Sequence, residues 1–178
     1  MADRFVEPAR GLPLHWGSYR PRVLGAVVLL FAGGLLMQAG SVYAISFLSI
    51  GALAHLSGWL ILPGKGWRRV LVSVPSMVGA AAPLIGSFGT LLLPICLLGW
   101  LWVRGRPARS YPVLVLPVLS GIVLWRLFPQ YGNGATVVAV SVAVLVGSAW
   151  LARAAAAGTR RTERSSSGRP FAGGEPPR

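Results

Sequence analysis

From Val23 to Leu62 the chain contains no Lys, Arg, Asp or Glu, and from Val70 to Val103 it again contains none. Either run exceeds the roughly 18 apolar residues that mark a helix able to cross a bilayer. Ordinary soluble domains have about a quarter of their residues charged. Here the charged fraction is 12% and the hydrophobic fraction 54%. The sequence therefore predicts an all-α, polytopic membrane protein whose first partner is the lipid bilayer.

Turn residues and charges divide the hydrophobic region, residues 22–152, into six segments: about 23–39, 42–62, 70–85, 90–103, 113–128 and 135–152. Helical rise makes the third to fifth segments short for a 30 Å hydrocarbon layer, so they are expected to cross nearly upright. Pro75, Pro83, Pro94 and Pro117 fall within spans, where each removes a backbone donor and can kink a helix. Residues 1–21 read as a cytoplasmic or interfacial segment, followed by a retained anchor rather than a cleaved signal peptide. Residues 153–178, rich in Gly, Ser, Pro and charge, read as a disordered basic tail.

The connections alternate in charge. Arg4, Arg10, Arg20 and Arg22 precede the first segment; Lys65, Arg68 and Arg69 join the second to the third. Arg104, Arg106 and Arg109 join the fourth to the fifth, and Arg153, Arg160, Arg161, Arg164, Arg169 and Arg178 follow the sixth. The other three turns, around Gly40, Ser87 and Gly132, have no basic residue, which leaves Arg126 as the one cation near that face. Positive charge is retained on the cytoplasmic side. The pattern predicts a bundle of six transmembrane helices arranged as three outward-pointing hairpins, with both termini cytoplasmic. Trp16, Tyr19, Trp59, Trp67, Trp100, Trp102, Tyr111 and Trp150 are expected in an inner aromatic belt, and Tyr43, Phe88, Trp125 and Tyr131 in an outer one. The net charge of +13 is topogenic in this reading, and no nucleic acid is implied. Among the basic residues only Lys65 is lysine, a bias that fits a GC-rich bacterial genome and a bacterial cytoplasmic membrane.

Few residues carry chemistry. His55 lies near mid-membrane in the second segment, with Ser49, Ser57, Ser73, Ser76 and Ser120 as hydrogen-bonding neighbours on its own or other helices. A neutral ring bonded to a neighbouring helix is the expectation, and a polar contact in a ligand pocket is the alternative. Arg126 either snorkels to headgroups or recognises an anion with Gln38, Gln130, Tyr131 and Asn133. Ala139, Ala143 and Gly147 form a candidate helix-packing face, with shorter stripes at Ala54 with Gly58 and at Ala82 with Gly86. No cofactor is implied. Cys96 and His55 do not make a metal site, because a tetrahedral zinc site needs more ligands. All four acids, Asp3, Glu7, Glu163 and Glu175, lie outside the apolar segments, which removes the intramembrane carboxylates that cation-coupled carriers use.

Three function classes remain. A non-enzymatic subunit of a membrane complex comes first, then a small permease-like or substrate-binding component. Six segments in 178 residues is similar in layout to the small substrate-binding subunits of energy-coupling-factor vitamin transporters. Those dock through an alanine stripe early in the chain, whereas the clearest stripe here is in the last segment. A membrane enzyme is disfavoured. Ser87 stands between glycines in IGSFGT, as in intramembrane serine proteases of the rhomboid type, yet the threading puts His55 about 20 Å deeper.

Overall fold

A computed structural model describes residues 17–41, 43–129 and 133–167, with side chains placed up to residue 157. Six α-helices follow in order: α1 Tyr19–Gln38, α2 Ile45–Ile61, α3 Gly66–Ala81, α4 Pro94–Val103, α5 Val115–Leu127 and α6 Gly134–Ser167. Three tighter 3-10 stretches, Ala82–Ile85, Ser87–Leu92 and Ala108–Leu114, extend α3, α4 and α5. No strand occurs among the described residues. Four of the extended helices are long and apolar enough to cross a membrane: Tyr19–Gln38, Gly66–Ile85, Ala108–Leu127 and Gly134–Ala157. Ile45–Ile61 and Ser87–Val103 are shorter apolar helices.

Most of the prolines in the spans fall near a change of helix type. Pro83 lies in the 3-10 stretch that continues α3, and Pro94 opens α4 where it follows the Ser87–Leu92 stretch, so both fall where α and 3-10 geometry meet. Pro75 alone sits well inside an α-helix. The turn between α3 and α4 pivots on Gly86, whose φ of +112° is closed to side chains with a Cβ. A difference from the sequence reading falls at the other end of the chain. α6 does not stop at Ala152 but runs on to Ser167, across a stretch read as disordered. Ala154, Ala155, Ala156 and Ala157 are strong helix formers and extend the apolar helix that precedes them.

The most intimate contact joins α1 to α2. Ala26, Leu30, Gly33 and Met37 face Gly51, His55, Gly58 and Leu62, an alternating four- and three-residue spacing on both helices. That is the knobs-into-holes period of a coiled-coil seam. Glycine is required at its crossing points. A Cβ on Gly33 would stand 2.5 Å from the His55 backbone nitrogen, and one on Gly51 would stand 2.7 Å from the Gly33 oxygen. Between helices surrounded by lipid no hydrophobic force drives association, and close backbone approach of this kind supplies dispersion contacts instead. Sequence reading picked Ala54 with Gly58 as the small pair of α2; Gly51 with Gly58 is the pair at the seam.

The surface is inverted relative to a soluble domain. Leu24, Leu53, Leu71, Leu119 and Leu151 are exposed, while Ser76, Ser110, Ser148 and Thr90 are among the most completely buried side chains. Buried hydroxyls among apolar helices and an apolar exterior are what hydrocarbon solvent selects. On α6 the face turned to the bundle is Val137, Ser141, Ser148 and Ala152. Ala139, Ala143 and Gly147 are all exposed, and a Cβ at Gly147 would meet nothing within 4 Å. Within this chain, therefore, the stripe expected to be a packing face points outward.

Gly33→Ala is expected to destabilise the fold by about 1–3 kcal/mol through overpacking. Gly147→Ala should be neutral or stabilise by up to about 1 kcal/mol, as at an open helix position. Unfolding of the detergent-solubilised protein followed by circular dichroism separates the two.

Candidate functional site

His55 sits in the α1–α2 seam and is 4% exposed. Its Nδ1 is 3.1 Å from the Leu30 carbonyl oxygen, which can only accept, so Nδ1 carries the proton. Nε2 then accepts. Trp59 donates its indole N–H to Nε2 at 3.2 Å, and the Ser76 hydroxyl lies 3.0 Å from the same nitrogen. An imidazolium would turn an N–H toward the indole N–H, so this arrangement holds the neutral ring. The ring ties α1, α2 and α3 together through three hydrogen bonds. Trp59, expected in an aromatic belt, lies in the core instead, because its position one turn beyond His55 puts it on the same helix face.

Beside this cluster is a cavity of about 340 Å³ whose walls are overwhelmingly apolar. α1 contributes Leu30, Phe31, Gly34 and Leu35; α6 contributes Val138, Val142, Leu145 and Ala149. α3 and α4 form the floor, with Ser76, Cys96, Leu97 and Trp100. α1 and α6 approach each other closely at few points at most, so the cavity is a cleft between two helices with exposed rims at Leu35 and Trp150. Its polar points are few. His55 and Ser76 are bonded to each other, the Cys96 thiol donates to the Ser76 carbonyl at 3.3 Å, and Gln38 Nε2 donates to the Ala80 carbonyl at 2.6 Å. Ser141, on the α6 side, is buried with no hydroxyl partner among the described residues. A second hollow of about 770 Å³ shares Leu35, Gln38, Pro83, Val138 and Val142 with the first. It widens the cleft toward Gly86 and Ser87.

The arginines gather at the opposite end. Arg22 donates to the Ile61 carbonyl at 3.3 Å, and Arg69 donates to those of Leu60 and Leu62 at 2.6 and 3.0 Å. Both therefore cap the C-terminus of α2. Arg68 donates to the Trp102 carbonyl at the end of α4 at 3.2 Å and stacks on Trp67 and Trp102. Arg104 bonds Tyr19 Oη at 2.8 Å, with its guanidinium 4.8 Å from the Trp100 ring centre. Helix C-termini leave carbonyls without partners and carry partial negative charge. In a chain with four acids, those carbonyls and aromatic faces take the place of carboxylates. Burial first, and then the charges of Arg106 and Arg153, hold Arg104 down to about 10, still a cation at neutral pH. Burial and Arg153 also lower Arg106, against a smaller raising effect of Tyr19.

Arg126 stands apart from both places. It is exposed in the last turn of α5, with its guanidinium 5.4 Å from the Trp125 ring centre, and Trp125 in turn meets Phe88 edge-on. It does not line the His55 cleft. Of the neighbours expected to join it, Gln38 is engaged with Ala80, and Gln130 and Tyr131 lie outside the described residues. Ser87 belongs to the wide mouth of the cleft and makes no contact with His55. Among the described residues no three His, Cys, Asp or Glu gather where they could hold a metal ion. The cleft itself had no signature in the sequence, since its walls come from opposite ends of the chain. No protein-family model, curated protein or solved structure matches this chain.

His55→Leu should strand the Ser76 and Trp59 donors and destabilise the protein by about 1–3 kcal/mol for each group left unpaired. Ser141→Ala removes a hydroxyl with nothing to lose and is expected to be nearly neutral. Thermal unfolding of the two variants in one detergent tests the contrast.

Proposed function

We propose that this chain is a non-enzymatic, multi-pass protein of a bacterial cytoplasmic membrane that holds a lipophilic ligand in the cleft between α1 and α6. Six crossings as three hairpins, with the arginine-bearing end and both termini in the cytoplasm, make up the proposed topology. One observation carries the functional reading: a largely apolar cavity of about 340 Å³ lies between two helices with little direct contact. Binding sites for small molecules are concave and mostly apolar, with a few fixed polar points. This one opens toward a solvent of acyl chains.

The polar cluster at its floor favours binding over catalysis. His55 spends its bonding capacity on Leu30, Trp59 and Ser76, so it serves as a brace, and the residues with described side chains include no carboxylate to complete an acid–base pair. The chain then resembles in role a small substrate-binding or permease-like component. A second reading, a subunit that docks on other membrane proteins, is favoured by the outward position of Ala139, Ala143 and Gly147. Small residues let a partner helix approach closely. The two readings are compatible.

Gly34 lines the cleft, and a Cβ placed there would approach nothing nearer than Ala80 Cβ at 4.0 Å. Gly34→Leu therefore fills the cleft without a backbone clash. Protein purified in mild detergent is expected to retain a stoichiometric lipophilic molecule that mass spectrometry identifies after extraction, and Gly34→Leu is expected to lose it. Equal retention by the folded variant would remove the cleft reading.

A further inference from the structure

The helices that wall the cleft lead to arginines at one end. Each of its long walls runs on, in helical register, to an arginine at the same end. On α1 the lining residue Val27 lies seven residues after Arg20; on α4, Trp100 lies four residues before Arg104; on α6, Ala149 lies four residues before Arg153. Residues four or seven apart share a helix face, so the three cations stand beyond the lining residues on the same helix faces, outside the cavity itself. Trp100 is the joint, because it lines the cavity and also has the Arg104 guanidinium 4.8 Å from its ring centre. Arg106 adds a fourth cation next to Arg104 and Arg153, close enough for their charges to repel.

We infer that the cleft is a site for one anionic phospholipid, with an acyl chain between α1 and α6 and the phosphate held by Arg104, Arg106 and Arg153. This rests on the reading of the cleft as a ligand site and adds the class of ligand. Charge complementarity selects the headgroup, since a guanidinium fork matches phosphate geometry and a soluble anion would have no use for the apolar walls. The same arrangement explains why cations that repel one another are built close together at the end of a greasy groove. Basic pockets between helices are a known means of holding acidic lipid heads.

Native mass spectrometry of the full chain in mild detergent, with added phosphatidylglycerol or phosphatidylcholine of identical acyl chains, tests this. Wild type is expected to prefer phosphatidylglycerol. Arg153→Gln should reduce that preference about fivefold, as for loss of one near-surface cation, while the exposed position of Arg153 leaves folding intact. Arg104→Gln should reduce it at least as much and Arg104→Lys should keep only part of it, with a melting curve confirming that each variant is folded. Arg126→Gln, at the far end, should change nothing. Gly34→Leu should lose both lipids. Equal retention of the two lipids by wild type, with both lost in Gly34→Leu, overturns the headgroup assignment and leaves the cleft reading standing. A preference that survives Gly34→Leu, or one reproduced by inorganic phosphate as competitor, overturns the phospholipid and the cleft together. A fall as large in Arg126→Gln as in Arg153→Gln reduces the effect to net charge and also overturns the site.

Discussion

A guanidinium and a helix C-terminus are each incomplete alone, and this fold depends on joining them. The last carbonyls of α2 and α4 have no intrahelical donors, and the chain has almost no carboxylates to offer its arginines. Arg22 and Arg69 complete α2, and Arg68 completes α4. One set of contacts thus removes two penalties, orphan acceptors and unpaired cations. It also gathers the start of α1 and the α2–α3 and α4–α5 connections at one end of the bundle. A helix that ran the wrong way would carry arginine to the end where, among the described residues, only Arg126 now stands and would leave those carbonyls open. The polarity of the bundle and the integrity of its helix ends are the same constraint.

Between those ends the problem is different, since apolar side chains gain nothing from one another in a solvent of their own kind. The α1–α2 seam answers with backbone proximity at Gly33, Gly51 and Gly58 and with one polar fastening, the His55 ring. Each partner of that ring comes from a different piece of helix, so the histidine fixes the register of the seam and the position of α3 at once. α6 is held otherwise, through the Ala108–Leu114 stretch and α5, with Ser110 bonding the Ala152 carbonyl at 3.0 Å. Because α1 is fastened to one side of the molecule and α6 to the other, a gap between them follows. The cleft is a consequence of where the strong contacts are.

Much of the architecture was legible in the chain because charge is so scarce. The uncharged runs marked the helices, and the arginines marked which connections share an end. Element limits were less legible. Pro83 and Pro94 read as kinks inside spans, and they fall where α-helix and 3-10 helix meet within a continuing helix. The alanines after Arg153 prolong α6 past the point where apolar character ends. The seam does not follow a simple four-residue stripe of small residues, since Gly51 and Gly58 lie seven apart with His55 between them. Trp59 looked like a belt residue from its place near Pro63, yet its helical phase with His55 decided its burial. The stripe of Ala139, Ala143 and Gly147 was visible, but no pattern within α6 tells which of two small faces turns inward. Ser141 and Ser148 take that side. The cleft could not be read at all, because it is a relation between two helices more than a hundred residues apart.

The central claim is that arginine placement sets the orientation of the bundle, with residue 65 inside the cell and residue 87 outside. Labelling of intact cells with a membrane-impermeant maleimide tests it most directly, on a Cys96→Ala background carrying either Lys65→Cys or Ser87→Cys. The account predicts that the Ser87→Cys protein labels on intact cells and that the Lys65→Cys protein labels only after permeabilisation. Labelling of both from the same side, or the reverse pattern, would contradict it.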